Sequence, residues 1–196
     1  MSKKLMVLGA GFPQVNLLKA AKELGYDTVV ASIPGDYPGF AAADEIAYVD
    51  ISDPEAVLAA AREAKIDGIA TCCLDTGIKA LGYVCDHMGL PGLTAEAAER
   101  CNDKYTMKQA FRKAGVTSAR FMDVRSEADL MDAVKALGYP AVLKALDLQG
   151  SNGVYICHNE AQLRDSFASV QSQSRLDHFI LEEFVSGYEL GAQAFV

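Results

Sequence analysis

The first half of the chain repeats one unit: a short apolar run, a turn, then apolar residues at helical spacing. Residues 5–8, Leu-Met-Val-Leu, are apolar at every position and end at Gly9-Ala10-Gly11. A strand with no polar alternation must be covered on both faces, which is the condition of a strand inside a parallel sheet. Val15, Leu18, Ala21 and Leu24 then recur at helical spacing, and Gly25 stands where a C-terminal cap belongs. Residues 27–31, 46–49 and 66–71 repeat the strand pattern. Between them, Ser52-Asp53-Pro54-Glu55 reads as a helix start, with Pro54 at the first helical position, and an alanine-rich helix follows to about Lys65. Ile78, Leu81, Cys85 and Met88 form another apolar helical stripe. Strands alternating with helices dictate βαβ units, so residues 1–92 are predicted to form a small doubly wound α/β domain.

The rhythm changes at Leu90-Pro91-Gly92. Residues 93–117 read as a helical linker, with two helices meeting near Cys101 and Asn102 as the cap of the second. Met107, Ala110, Phe111 and Ala114 form its apolar stripe, and Gly115 ends it. Residues 118–185 then read strand-helix-strand-strand-helix-strand. The strands fall at 120–124, 141–146, 153–157 and 179–185, and Ser126 and Asn159 cap the helices. That order predicts an α+β unit with an antiparallel sheet. Residues 186–196 carry a turn and the start of a further strand at 190–196. The chain stops at Ala194-Phe195-Val196, inside an apolar pattern, so the expectation is a fragment of a longer protein.

Charge and composition remove several function classes. Eighteen basic against 26 acidic residues give a formal net charge of −8, and no dense Lys/Arg run occurs, which excludes a nucleic-acid surface. A small anionic ligand needs only a few focused cations and stays open. No apolar stretch approaches the ~20 residues of a membrane span. Gly9, Gly11 and Pro13 break the first apolar run too early for a signal peptide, so a cytoplasmic chain is expected. Five cysteines (Cys72, Cys73, Cys85, Cys101, Cys157) match neither a redox pair nor a zinc pattern and read as buried free thiols.

Four segments could carry chemistry. At Gly9-Ala10-Gly11, a dinucleotide fingerprint would need a third glycine where Gln14 stands. It would also need an acid where the second strand ends at Ala31-Ser32. The bland reading is a tight strand-to-helix turn; a middle reading is a turn that holds a small anionic substrate. Lys104, in Asn102-Asp103-Lys104, projects from the edge of an apolar helix face, and alone it reads as a snorkelling lysine. Lys144 is a lone cation in an apolar strand, followed by Leu148-Gln149-Gly150-Ser151-Asn152-Gly153. Glycines let backbone N–H groups turn toward a phosphate, and a lysine before such a loop can neutralise it; an ordinary hairpin is the equal alternative. Finally, Glu182 and Glu183 close an apolar strand on opposite faces, so one carboxylate must sit near apolar neighbours. That is either a solvated strand end or a purine-reading edge, with Glu189 placed for a ribose.

In this order, Asp103-Lys104, the Tyr139-Pro140 to Lys144 strand, the loop from Gly150 to Gly153 and the segment from Glu182 to Glu189 resemble the ATP-grasp superfamily. The carbamoyl-phosphate synthase large-chain and biotin carboxylase branch is the nearest likeness. The resemblance covers the whole chain and implies a fold: a Rossmann-like parallel pre-ATP-grasp α/β domain, then an α+β ATP-grasp subdomain, truncated at the C-terminus. It also implies ATP between two α+β subdomains. Lys104 and Lys144 would contact phosphates, and Gly150, Ser151 and Gly153 would form a flap over them. Glu182, Glu183 and Val185 would meet adenine, and Glu189 would hold the ribose. The implied activity is an ATP-dependent carboxylate ligase working through an acyl phosphate, with Mg²⁺ as the second cofactor. The metal ligands and catalytic residues are expected beyond Val196, so this fragment is expected to bind nucleotide weakly and to be inactive alone.

The implied partner is a small-molecule carboxylate or similar substrate, without nucleic acid or membrane, in a chain that could form a homodimer. Gly11, Gln14, Asp75 and Thr76 follow parallel strands, where ligands of such sheets bind, and are the candidate substrate contacts. A non-catalytic nucleotide-binding or regulatory module is the second reading, and a nicotinamide oxidoreductase the third.

Overall fold

The computed structural model describes residues 2–148 and 151–192. The chain divides into two compact units, Met1–Asn102 and Asp103–Val196.

In the first unit, β1 (Lys4–Leu8), β2 (Asp27–Ser32), β3 (Glu45–Tyr48) and β4 (Gly68–Ala70) form a parallel sheet in the order β3-β2-β1-β4. Its helices are α1 (Phe12–Glu23), a short α2 (Pro38–Ala42) absent from the sequence expectation, α3 (Pro54–Ala64), α4 (Ile78–Met88) and α5 (Ala95–Asn102). The continuous apolar run of β1 has its reason in this layering. Met6 and Leu8 pack with Val57, Leu58 and Val84 on one face of the sheet, while Val7 packs with Leu18 on the other. Asp53 caps α3 by accepting from the N–H groups of Glu55 and Ala56, at 3.0 and 3.1 Å. Gly82 lets α5 approach α4: a Cβ there would lie 2.7 Å from both Ala98 Cβ and Thr94 O.

The second unit holds α6 (Lys104–Ala114), β5 (Phe121–Val124), α7 (Glu127–Leu137), β6 (Ala141–Ala145), β7 (Val154–Cys157), α8 (Glu160–Gln173) and β8 (Phe179–Glu183). The sheet order is β5-β8-β6-β7 and every pairing is antiparallel, as the sequence pattern requires. One face buries Leu143, Ala145, Phe179 and Leu181 against Leu130 and Val134 of α7 and Leu163, Phe167 and Val170 of α8. The opposite face carries Phe121 and Ile180, packed with Leu146 and with Tyr105 of α6.

Three details differ from the sequence expectation. Asp103, not Asn102, caps α6: its carboxylate accepts from Thr106 N–H at 2.6 Å. Asn102 ends α5 instead, and its amide donates to Asp75 O. β8 ends at Glu183 rather than at residue 185, because its neighbours begin at Phe121 and Ala141 and offer no ladder partner further on. Residues 190–192 carry no strand, and the rest of the strand expected at 190–196 lies outside the described residues. Of the cysteines only Cys85 and Cys157 are buried, and burial pushes both thiols up; Cys73 and Cys101 are exposed. No helix among the described residues is long and apolar enough to cross a membrane.

Candidate functional site

Alternation along β8 puts Phe179 and Leu181 on the apolar face of the second sheet and Ile180 and Glu182 on the other. Glu182 is therefore carried into the interior by the strand that forms the core, and only 5% of its surface is exposed. A carboxylate buried that deeply must be paired. On β6, Val142 stands opposite Glu182 and Lys144 opposite Ile180, so Lys144 is the diagonal neighbour of Glu182. Its ammonium donates to Glu182 Oε2 at 2.9 Å.

A second cation reaches the same oxygen. Lys108 Nζ of α6 lies 3.4 Å from Glu182 Oε2, donates to Ala119 O at 3.2 Å, and sits 5.8 Å from the Phe121 ring centroid. The sequence reading passed over Lys108. A signal for it exists: it falls four residues after Lys104, which puts both lysines on one side of α6.

Lys104 lies at the start of α6 and donates to Leu148 O at 3.0 Å, which ties the helix start to the loop that leaves β6. Asp147, beside it in sequence to Leu148, feels that charge. Partial burial pushes the Asp147 carboxyl up, but hydrogen bonds from Ser174 and Arg175 outweigh this, Lys104 adds to them, and the net direction is down. Gly150 lies outside the described residues. Ser151 and Gly153 both adopt positive φ, at 66°, as residues of a tight loop must. Gly153 is also confined: a Cβ there would meet Leu148 Cδ1 at 2.7 Å, and its carbonyl accepts from Ala145 N–H at 2.8 Å.

Glu183 points to the other side of β8 and is held by Arg120. The Arg120 backbone N–H donates to one oxygen at 2.8 Å and its Nε to the other at 2.6 Å. Those bonds hold the carboxyl below the usual range. Past the strand, Phe184 N–H donates to Pro140 O, whereas Val185 N–H makes no hydrogen bond among the described residues. Val185 and Glu189 are exposed in the irregular segment after β8. The structure thus gathers Lys144 and Glu182 with Lys108, and assigns Glu183 to Arg120.

In the first unit, β1 lies between β2 and β4, so the chain crosses from one side of β1 to the other, and ligands of such sheets bind at that switch point. Gly11 caps α1 after β1, while Asp75 and Thr76 lie in the turn after β4. The two loops touch: the buried Gln14 amide donates to Cys72 O, and a Cβ on Gly9 would lie 2.7 Å from Leu74 Cδ2. Gln14 thus joins the loops together. No group of three or more His, Cys, Asp or Glu side chains gathers as a metal site among the described residues.

Residues 109–191 match the family described as the ATP-grasp domain. The carbamoyl phosphate synthase large chain of Thermotoga maritima is 25% identical over 209 residues, covering 95% of this chain and 19% of that protein. The crystal structure of phosphoribosylglycinamide synthetase from Anaerococcus prevotii is 44% identical, with a TM-score of 0.73, over 96% of this chain and 47% of that one. The biotin carboxylase domain of Hydrogenobacter thermophilus 2-oxoglutarate carboxylase, solved as a dimer with MgADP and bicarbonate, shares the fold. Its TM-score is 0.79 at 22% identity, over 94% of this chain and 45% of that one. The chain therefore spans from a fifth to just under half of the length of these relatives.

Proposed function

We propose, from the premise that the chain carries an ATP-grasp domain over residues 109–191, that its second unit holds ATP and that the whole protein is an ATP-dependent ligase. The carrying observation is a buried carboxylate, Glu182, set with Lys108 and Lys144 on the less apolar face of an otherwise apolar sheet. A fold stabilised by packing alone has no use for this trio, because a buried ion triad is replaced by apolar side chains at little or no cost to stability.

In this reading Lys144 turns from Glu182 to the phosphates as a point cation. Lys104 does the same from the start of α6, and the Ser151 hydroxyl adds a donor from the loop. Glu182 accepts a hydrogen bond from the adenine amino group, and Val185 N–H donates to a ring nitrogen. Glu189 accepts from the ribose hydroxyls. Gly153 shapes the loop over the phosphates, and Gly150, outside the described residues, belongs to the same ATP-binding set. Glu183, its carboxylate engaged by Arg120, meets the adenine through its backbone.

The reaction is acyl-phosphate formation. A carboxylate oxygen of the acceptor attacks the γ-phosphorus, the bond from that phosphorus to the β–γ bridging oxygen breaks, and ADP leaves with the electron pair. An amine or similar nucleophile then attacks the acyl carbon, the bond to the phosphate oxygen breaks, and the nucleophile gives up its proton. Mg²⁺ would offset charge on the transferred group. No group of three or more His, Cys, Asp or Glu side chains gathers for it among the described residues. The acceptor would lie at the switch point, against Gly11, Asp75 and Thr76, with Gln14 holding the loops in place. Homodimeric assembly and a cytoplasmic location belong to the same reading.

The test is isotope transfer in the full-length protein. An acceptor labelled with ¹⁸O in its carboxylate delivers one ¹⁸O to inorganic phosphate if an acyl phosphate forms. Unlabelled phosphate from a reaction that turns over would refute that intermediate.

A further inference from the structure

We propose that Lys108 is the standing counter-ion of Glu182, a positioning residue that lets Lys144 leave that carboxylate for the phosphates while Glu182 goes on accepting from the base. This inference rests on the nucleotide reading above and gives a role to a residue that reading does not use.

The two lysines on Glu182 are held differently. Lys108 is 9% exposed at its side chain, pairs with Glu182 at 3.4 Å, and is fixed by a second bond to Ala119 O at 3.2 Å and by the Phe121 ring. Lys144 is 27% exposed and its hydrogen bond is to Glu182 alone among the described residues, one residue before β6 ends at Ala145. One cation is locked between α6 and the sheet, and the other is partly open to solvent.

That asymmetry solves a charge problem. A lysine can serve a phosphate only by giving up its present anion. If Lys144 were the sole partner of Glu182, its departure would strand a carboxylate that is 6% exposed at its side chain, and the attraction of a buried uncompensated charge would pull Lys144 back. With Lys108 on the same oxygen, Glu182 keeps one positive neighbour in both states. Phe121, which faces Glu182 across the β5–β8 ladder, supplies no hydrogen bond that could replace it. Lys108 never needs to meet the nucleotide, and its removal would still be felt there.

The test uses the full-length protein with inorganic tripolyphosphate and ATP as titrants in calorimetry. Lys108→Met should weaken tripolyphosphate binding by about tenfold or more, because Lys144 is then retained by Glu182. Lys108→Arg should restore most of the loss. The decisive variant is Lys108→Met combined with Glu182→Gln: a neutral residue 182 no longer holds Lys144, so tripolyphosphate binding should return to the level of Glu182→Gln alone. A packing role for Lys108 would leave the double variant as weak as Lys108→Met. Unchanged tripolyphosphate binding in Lys108→Met would overturn the proposal.

A second readout needs no nucleotide. Lys108→Met should lower the urea midpoint, and the added Glu182→Gln change should recover part of that loss; additive losses would contradict the counter-ion role. A wild-type protein that binds neither titrant but shows this recovery would refute the nucleotide reading and leave the counter-ion standing.

Discussion

The two sheets treat charge in opposite ways. In the parallel sheet residues 5–8 of β1 are apolar on both faces, and its ion pairs lie at the first residues of the strands or beyond them, where Lys4 of β1 meets Glu45 of β3 and Lys22 of α1 meets Asp44. In the antiparallel sheet one face is apolar, while the other carries Glu182 and Lys144 inside the strands, short of their ends. A parallel sheet enclosed by crossover helices leaves its polar groups to the loops at strand ends. An antiparallel sheet with a thinner cover can display side chains from its own face. The acceptor site is accordingly proposed on loops and the nucleotide site on strands.

The largest effect should come from forcing charge into the parallel sheet. Val30 is fully buried, so Val30→Lys should cost at least about 4 kcal/mol in chemical denaturation, and most of the chain should be recovered unfolded. If the variant stays folded, the contrast between the sheets is wrong.

Next comes the carboxylate of the second sheet. Glu182→Ala leaves Lys108 buried without its anion, and about 3 kcal/mol of stability should be lost. An unchanged urea midpoint would mean that the pair carries no cost when broken. Lys144→Met should behave oppositely. Its head group is partly exposed, so stability should move by less than about 1 kcal/mol, while ATP binding by calorimetry should weaken by about tenfold or more. Equal losses in both measurements would make Lys144 a structural residue.

The smallest effect belongs to the rim of the parallel sheet. Asp44 is drawn down from 3.8 to about 2, first by its bond with Lys22 and then by Thr28. A depressed carboxyl contributes stability above its unfolded value and loses it as pH falls toward the folded one. Asp44 should therefore stabilise at pH 5 and cease to do so between about pH 4 and pH 2. It is half exposed, so screening should keep the change below about 1 kcal/mol. Asp44→Asn should flatten that part of the pH profile.

Most of the fold was legible because hydrophobic period reports cover. The uninterrupted run at residues 5–8 dictated a doubly covered strand, and the apolar run at 179–183 closes on two adjacent acids, which the alternation of a strand sends to opposite faces. That same alternation separated Glu182 from Glu183, but which carboxylate is carried into the interior depends on α6, which no strand pattern encodes. Lys108 was missed for that reason: on a helix wheel it borders the apolar stripe, and only the position of β8 turns that border into the interior. The cap of α6 was misplaced by one residue because Asn102 and Asp103 are both good caps, and only Asp103 lies in reach of Thr106 N–H.

The central claim is that the charged face of the second sheet reads an adenine nucleotide. Calorimetric titration of the full-length protein with ATP and with inosine triphosphate, in the wild type and in Glu182→Gln, tests it directly. The wild type should prefer ATP by about tenfold or more, since the 6-oxo base has no amino group to donate to Glu182, and the variant should lose most of that preference. Equal binding of both nucleotides by the wild type, or a preference that survives in Glu182→Gln, would contradict it.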